Sequence, residues 1–315
     1  MNQSPLQELR DPELSRYGVR VLVKRDDLLH PQISGNKWRK LKYNLMMARR
    51  QRFDTLLTFG GAYSNHLHAV AAVGRVCGFD TIGVVRGAPG VEENPTLSDA
   101  RRFGMKLFFV EREAYRCKDS AAMLEVLHER FGRFFLLPEG GANALALTGC
   151  GELAQEIVDQ LGETPDAVMC ACGTGATLAG LAAHLPARSE AVGVSVLKGE
   201  SSMAEDVRRL LREAALAAKS PWQVLSDYHF GGYAKCSDEL LAFVTRFRAV
   251  NEIPIEPVYT GKMFFALYDL VRQGRFAPGS TIVAVHTGGL QGLRGMARKL
   301  ESRGNFDWVN DYRSV

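Results

Sequence analysis

Residues 167–185 read AVMCACGTGATLAGLAAHL. The run from Ala167 to Ala171 is apolar without alternation, as expected of a strand covered on both faces in a parallel sheet. Small and hydroxyl residues follow from Cys172 to Thr177, and then an Ala/Leu-rich stretch with helical character. Strand, glycine turn, helix is the unit of an α/β fold, and in open sheets ligands bind beyond the carboxyl ends of the strands. Gly173 and Gly175 let the N–H groups of the turn, including those of Ala176 and Thr177, converge on one anion. Thr174 and Thr177 add hydroxyl donors. An ordinary strand-to-helix turn is the plainer reading, but this succession favours a phosphate cup. A dinucleotide site is disfavoured, because Leu178 stands where a third glycine belongs. Leu197 and Lys198, not an acidic residue, follow the next strand.

The same alternation extends over the chain. Strands are predicted at Val19–Lys24, Thr55–Phe59, Thr81–Val85, Lys106–Val110, Phe134–Leu137, Ala167–Ala171, Ala191–Val196 and Thr281–Val285. Amphipathic helices are predicted at Lys37–Arg50, His66–Val76, Ser120–Arg130, Gly151–Leu161, Ser237–Val250 and Gly261–Arg272. Parallel sheets wound with helices follow. At 315 residues the chain exceeds the usual size of one core, so two lobes or one large α/β unit are expected. Gly140–Gly149, small and turn-rich, is the expected crossing between lobes. Arg86–Pro95 reads as a mobile loop.

Composition narrows the function. The chain is 46% hydrophobic and 23% charged, with net charge +4 from 39 basic and 35 acidic residues. This near balance argues against nucleic-acid binding and suits a local anionic ligand. The six cysteines are scattered, and no second pair or histidine completes a metal site around Cys170 and Cys172. With no export pattern and no apolar stretch of spanning length, the reading is a soluble cytoplasmic protein without a membrane or metal partner.

Three further loops carry reactive side chains. In Ser34-Gly35-Asn36-Lys37-Trp38-Arg39-Lys40 the glycine and asparagine permit a tight turn, and Lys37 falls in the first turn of a helix. The positive end of the helix dipole favours the neutral amine there, the form that attacks an aldehyde. Taken alone, Lys37 reads as a surface lysine. In Gly60-Gly61-Ala62-Tyr63-Ser64-Asn65-His66, Ser64 and Asn65 either cap the next helix or face a ligand above it. At the C-terminal end lie Pro257-Val258-Tyr259-Thr260-Gly261-Lys262 and His286-Thr287-Gly288-Gly289. Tyr259 is either core or a stacking platform, and Thr287 ends a strand with its hydroxyl uncrowded. Gly231-Gly232-Tyr233 is a glycine turn presenting a second tyrosine.

With SGNKWRKL, GGAYSNH, CGTGATLAGL, EPVYTGK and VHTGG in this order and spacing, the chain resembles the D-cysteine desulfhydrase and 1-aminocyclopropane-1-carboxylate deaminase family. That family belongs to the tryptophan-synthase-β-like enzymes that use pyridoxal 5'-phosphate, and the resemblance runs from about Leu14 to Arg294. It implies two open, twisted, mostly parallel sheets flanked by helices. A smaller lobe, about 46–150, would be inserted in a larger lobe of 1–45 plus 151–315. It implies that Lys37 forms the Schiff base with the cofactor and that Asn65 bonds the ring's phenolic oxygen. The Gly173–Thr177 loop, helped by Lys40, would hold the phosphate. Tyr259 would lie against the ring, and Thr287 beside its nitrogen. Lys37, Ser64 and Tyr259 would be catalytic, and Ser64, Asn65, His66, Tyr233 and Thr260 would contact a small amino-acid substrate. A homodimer is usual in the family.

Ring-opening deaminases of the family carry Glu directly after the tyrosine and Leu before the Gly-Gly pair, where this chain has Thr260 and Thr287. The resemblance therefore implies β-elimination from D-cysteine to pyruvate, ammonia and hydrogen sulfide. 1-Aminocyclopropane-1-carboxylate deaminase and L-cysteate sulfo-lyase are the alternatives within the scaffold, and a non-catalytic cofactor-binding protein is the alternative outside it.

Overall fold

The computed structural model of the chain describes residues 3–33, 35–88, 94–304, 306 and 308. Its strands are β1 (Leu6–Glu8), β2 (Arg20–Lys24), β3 (Thr55–Gly61), β4 (Asp80–Arg86), β5 (Lys106–Val110), β6 (Phe135–Leu137), β7 (Ala167–Cys172), β8 (Glu190–Ser195), β9 (Trp222–Leu225) and β10 (Thr281–Val285). The helices are α1 (Pro12–Ser15), α2 (Asn36–Arg50), α3 (Asn65–Cys77), α4 (Pro95–Arg102), α5 (Arg112–Arg116), α6 (Ala121–Phe131), α7 (Ala144–Leu161), α8 (Ala176–His184), α9 (Glu200–Glu213), α10 (Asp238–Asn251), α11 (Thr260–Arg272) and α12 (Leu293–Glu301).

Two compact units emerge. The first is Met1–Lys40 with Ala142–Leu290, and the second is Leu41–Gly141 with Gln291–Val315. Among the described residues the first holds a sheet ordered β1-β2-β10-β7-β8-β9 and the second a sheet ordered β5-β4-β3-β6. All pairings are parallel except β1 against β2. Two open, mostly parallel α/β sheets are thus present, as the glycine turn after β7 suggests.

Each unit has its own apolar core. In the first, Val168 and Cys170 of β7 pack with Leu178 and Leu181 of α8 and with Leu153 and Ile157 of α7. In the second, Leu57 and Phe59 of β3 pack with Ile82 and Val84 of β4 and with Leu127 of α6.

Several elements differ from expectation. Helix α7 begins at Ala144, not Gly151, so most of the expected crossing is helical. Its glycines, weak helix formers, serve close packing: a Cβ on Gly149 would fall 1.9 Å from the Arg39 carbonyl oxygen, and one on Gly151 2.7 Å from the His184 ring. The units divide after Lys40 and after Gly141, and residues from Gln291 onward group with the inserted unit instead of the larger one. Strand β1 is a three-residue edge strand, too short to show alternation. Helices α9 and α12 were legible in principle, since Met203, Val207, Leu210 and Leu211, like Leu293, Met296 and Leu300, recur at helical spacing and are buried. The middle of the Arg86–Pro95 loop and Ser34 lie outside the described residues. Among those described, no helix is long and apolar enough to cross a membrane.

Candidate functional site

In the first unit the turn before α2 is fastened to the end of β10. Gly35 has φ +66°, and a Cβ on it would lie 1.8 Å from the Thr287 carbonyl oxygen, so only glycine fits. The Asn36 N–H donates to that oxygen at 3.3 Å. The Asn36 amide donates to the Thr177 hydroxyl at 3.1 Å, tying the turn to α8 as well. Lys37, half-buried, follows directly. Desolvation, and then the charge of Lys40, hold its pKa well below the usual lysine value, so the neutral amine is accessible. Lys40 is buried, its pKa also lowered by burial, and its Nζ donates to the Thr174 hydroxyl at 3.5 Å.

The opposite side of this helical turn is anchored by charge. Arg39 is buried and donates to Asp26 at 2.9 and 3.1 Å and to Glu156 at 2.6 and 2.8 Å. Burial works against its charge, but Glu156 and Asp26 outweigh it and raise the pKa. Lys24 completes the cluster with Nζ 2.9 Å from Glu156.

The glycine loop leads from β7 into α8. Gly175, at φ +76°, is the N-cap and has no side chain to satisfy the first-turn N–H groups. They are left for an external acceptor, and the dipole favours an anion there. Gly173 packs on Tyr259 so closely that a Cβ would lie 3.2 Å from its Cε1. Tyr259 meets Tyr233 edge-on, with ring centroids 5.9 Å apart.

Tyr259 precedes α11, whose start is capped from within. The buried Glu256 carboxylate accepts from the N–H groups of Val258 (2.6 Å), Tyr259 (2.9 Å) and Thr260 (2.7 Å). Burial raises the Glu256 pKa against these bonds. The Thr260 hydroxyl donates to the same carboxylate at 3.1 Å and accepts from the Glu256 N–H at 3.0 Å. Thr260 is fully buried. It is expected to contact substrate, and its hydroxyl is engaged by the cap. Nothing in the spacing of EPVYTGK distinguishes the two roles, although a glutamate four residues before a threonine is a capping cue.

Thr287, two residues beyond β10, is buried, and its hydroxyl has no hydrogen-bond partner among the described residues. The preceding His286 sets the turn. Its Nε2 lies 2.6 Å from the Pro254 carbonyl oxygen, which can only accept, so Nε2 carries the proton and Nδ1 accepts from the Gly288 N–H at 3.2 Å.

In the second unit, Ser64 caps α3. Its Oγ accepts from the N–H groups of His66 (3.2 Å) and Leu67 (3.3 Å). The hydroxyl proton stays available, so the cap and a ligand contact are compatible. Asn65 accepts at Oδ1 from the Gln291 amide at 3.1 Å, which leaves its own NH2 to donate elsewhere. Gln291 has no motif to announce it; only the fold brings it to Asn65. His66, expected at the substrate, has its ring turned inward. It is buried with Nε2 2.8 Å from the Thr58 hydroxyl, which itself donates to the Leu137 carbonyl at 2.9 Å. His66 therefore links α3 to β3 and β6. Adjacent residues at a helix start point in different directions, and this one points inward.

The family described as pyridoxal-phosphate dependent enzyme matches residues 1–288. The chain is 34% identical to the "Putative 1-aminocyclopropane-1-carboxylate deaminase" of Pyrococcus horikoshii, over 95% of this chain and 93% of that protein. It is 33% identical to the protein of the same name from Thermotoga maritima, over 90% and 93%. Among solved structures it is similar to a crystal structure of an "ACC deaminase homologue", with TM-score 0.84, 30% identity and coverage of 96% and 94%. A hydrogen sulfide-producing enzyme from Fusobacterium nucleatum has TM-score 0.64 at 16% identity, with coverage of 90% and 94%, and shares the fold alone.

Proposed function

The chain belongs to the pyridoxal-phosphate dependent enzymes, in the family of 1-aminocyclopropane-1-carboxylate deaminases and D-cysteine desulfhydrases, and within it we propose a β-eliminating deaminase acting on D-cysteine. The observation that carries the reading is a half-buried lysine fastened by its own turn to an uncapped helix N-terminus.

The residues of the first unit fit the cofactor. Lys37 is the amine that would hold its aldehyde carbon. The N–H groups at the start of α8, with Thr174 and Lys40, match a phosphate in charge and donor type. The uncrowded Thr287 hydroxyl suits the pyridine nitrogen, and Tyr259 the ring. By the family resemblance Asn65 of the second unit, whose amide Gln291 orients, would be the donor for the phenolic oxygen. When bound, the cofactor supplies an electron sink for negative charge developing at the substrate's α carbon.

The chain's own residues do the rest. Lys37, with its proton affinity lowered, removes the proton from Cα as a neutral base. By the family resemblance the Ser64 hydroxyl, whose proton is free, would donate to the substrate carboxylate, which the positive end of the α3 dipole would also attract. The Thr287 hydroxyl, where a carboxylate could stand, would leave a pyridine nitrogen beside it unprotonated, which would suit loss of the Cβ substituent. D-cysteine and water would give pyruvate, ammonia and hydrogen sulfide. The family resemblance carries with it a homodimer, which light scattering on the purified protein measures, and the six scattered cysteines suit a reducing cytoplasm.

The names of the relatives favour a second reading, ring opening of 1-aminocyclopropane-1-carboxylate. L-Cysteate is the third substrate to test. Incubation with each, followed by assay of pyruvate, 2-oxobutyrate and sulfide, separates them. Pyruvate with sulfide from D-cysteine is expected; 2-oxobutyrate alone would sink the desulfhydrase reading. Borohydride reduction and peptide mapping should put the cofactor on Lys37, and a label on another lysine would remove the basis of the mechanism.

A further inference from the structure

Lys262 is a buried cation to which the chemistry above gives no task. It stands in the first turn of α11, where the helix dipole disfavours positive charge, and it is fully buried. Burying a charge is costly unless it is paired, yet no carboxylate lies at ion-pair distance among the described residues; Glu256 acts on it only at longer range. Its amine instead donates to two backbone carbonyls, His229 and Gly232, each at 2.8 Å.

Those carbonyls bracket an unusual loop. Phe230, Gly231, Gly232 and Ala234 all have positive φ (51°, 94°, 115° and 53°), and two of them are not glycine. Left-handed backbone at Phe230 and Ala234 persists only where surrounding contacts impose it. The loop carries Tyr233, which is exposed and leans edge-on against Tyr259.

We propose that Lys262 is a positioning residue for the substrate: its amine draws the His229 and Gly232 carbonyls together and so sets the loop that presents Tyr233 beside Tyr259. This rests on the reading that Tyr233 contacts the substrate. The expense of a buried cation falls on the fold, and the return is a fixed tyrosine. Burial depresses the Lys262 pKa to about 8, so the tether weakens as the amine loses its proton in mildly alkaline solution. The ionisable groups facing it or its loop include Glu256 just before α11, Cys236 and His229 on the loop side, Lys235 against Gly231 and Lys198 against Gly232.

The test uses cofactor-loaded enzyme and the amino acid turned over fastest in the substrate panel. Lys262→Met and Lys262→Gln are expected to raise KM about tenfold with kcat within about twofold, and cofactor absorbance unchanged. Combined with Tyr233→Ala they should add nothing further, because both remove one device. In the unaltered enzyme KM should climb as pH rises through about 8, and in Lys262→Gln that step should vanish. If both Lys262 variants, loaded with cofactor, keep the native KM while Tyr233→Ala raises it, Lys262 is structural only and the proposal fails. If Tyr233→Ala itself leaves KM unchanged, the assignment of Tyr233 to the substrate is what fails, and the role of Lys262 falls with it. Should the Lys262 variants not fold, the unaltered enzyme decides, since a KM flat across that pH step overturns the tether.

Discussion

Single side chains in this protein are defined by what they already hold. Lys37 owes its lowered pKa first to desolvation and then to Lys40. Removing the second contribution by Lys40→Gln lets Lys37 keep its proton to higher pH. The acidic limb of the kcat profile should therefore move to higher pH, and an unmoved limb would show that Lys40 does not act on that amine. Thr260 gives a sharper case. Ring-opening relatives place Glu at this position, but here the hydroxyl is sealed against the Glu256 carboxylate. Thr260→Glu would bury a second carboxylate beside the first. A loss of about 3 kcal/mol in urea denaturation is expected, with no gain of 2-oxobutyrate from 1-aminocyclopropane-1-carboxylate. A stable variant that opens the ring would refute this. The inward ring of His66 and the capped hydroxyl of Thr260 escape a motif for one reason: a motif lists neighbours in the chain, whereas successive side chains leave a strand end or helix start in different directions.

At the scale of elements, the first turn of α2 is held on two sides. Gly35 and Asn36 fasten it to β10 and α8, and Arg39 fastens it to Asp26 and Glu156. The buried ion cluster is not a gain in stability by itself, but breaking it leaves Asp26 and Glu156 uncompensated. Arg39→Met should cost about 3–5 kcal/mol in denaturation and weaken cofactor binding in titration, since Lys37 and Lys40 share that turn. Retained cofactor affinity would mean that Gly35 and Asn36 suffice. The second unit has a parallel device: Arg294 of α12 pairs with Asp99 of α4, which also faces His68 of α3 at 3.3 Å. Although burial opposes it, bonds from His68 and Arg294 bring the Asp99 pKa down to about 2. These elements were only partly legible. The long amphipathic helices stood out, whereas the start of α7 was hidden by glycines that exist for close packing and not for helix propensity.

Across the whole molecule, residues far apart in the chain act as one cluster in the first unit: 35–40, 173–177, 256–260 and 287–289. Cofactor binding should slow amide exchange in these segments together while leaving α6, in the core of the second unit, unchanged. Protection confined to one segment would contradict their assembly. The chain alone determined the α/β class, the alternation of strand and helix, and the glycine and lysine loops that bear the chemistry. Each of those depends on a contiguous run of residue types, on periodicity, or on a turn that only glycine can make. Only the tertiary structure decided that Glu256 caps α11, that Gln291 orients Asn65, that Glu156 holds Arg39 and that His66 turns inward. A hydrogen bond acts over about 3 Å: Gln291 meets Asn65, and Glu156 meets Arg39, across more than a hundred residues that no local pattern spans, and even the near contacts of Glu256 and His66 depend on which way a side chain turns in the fold.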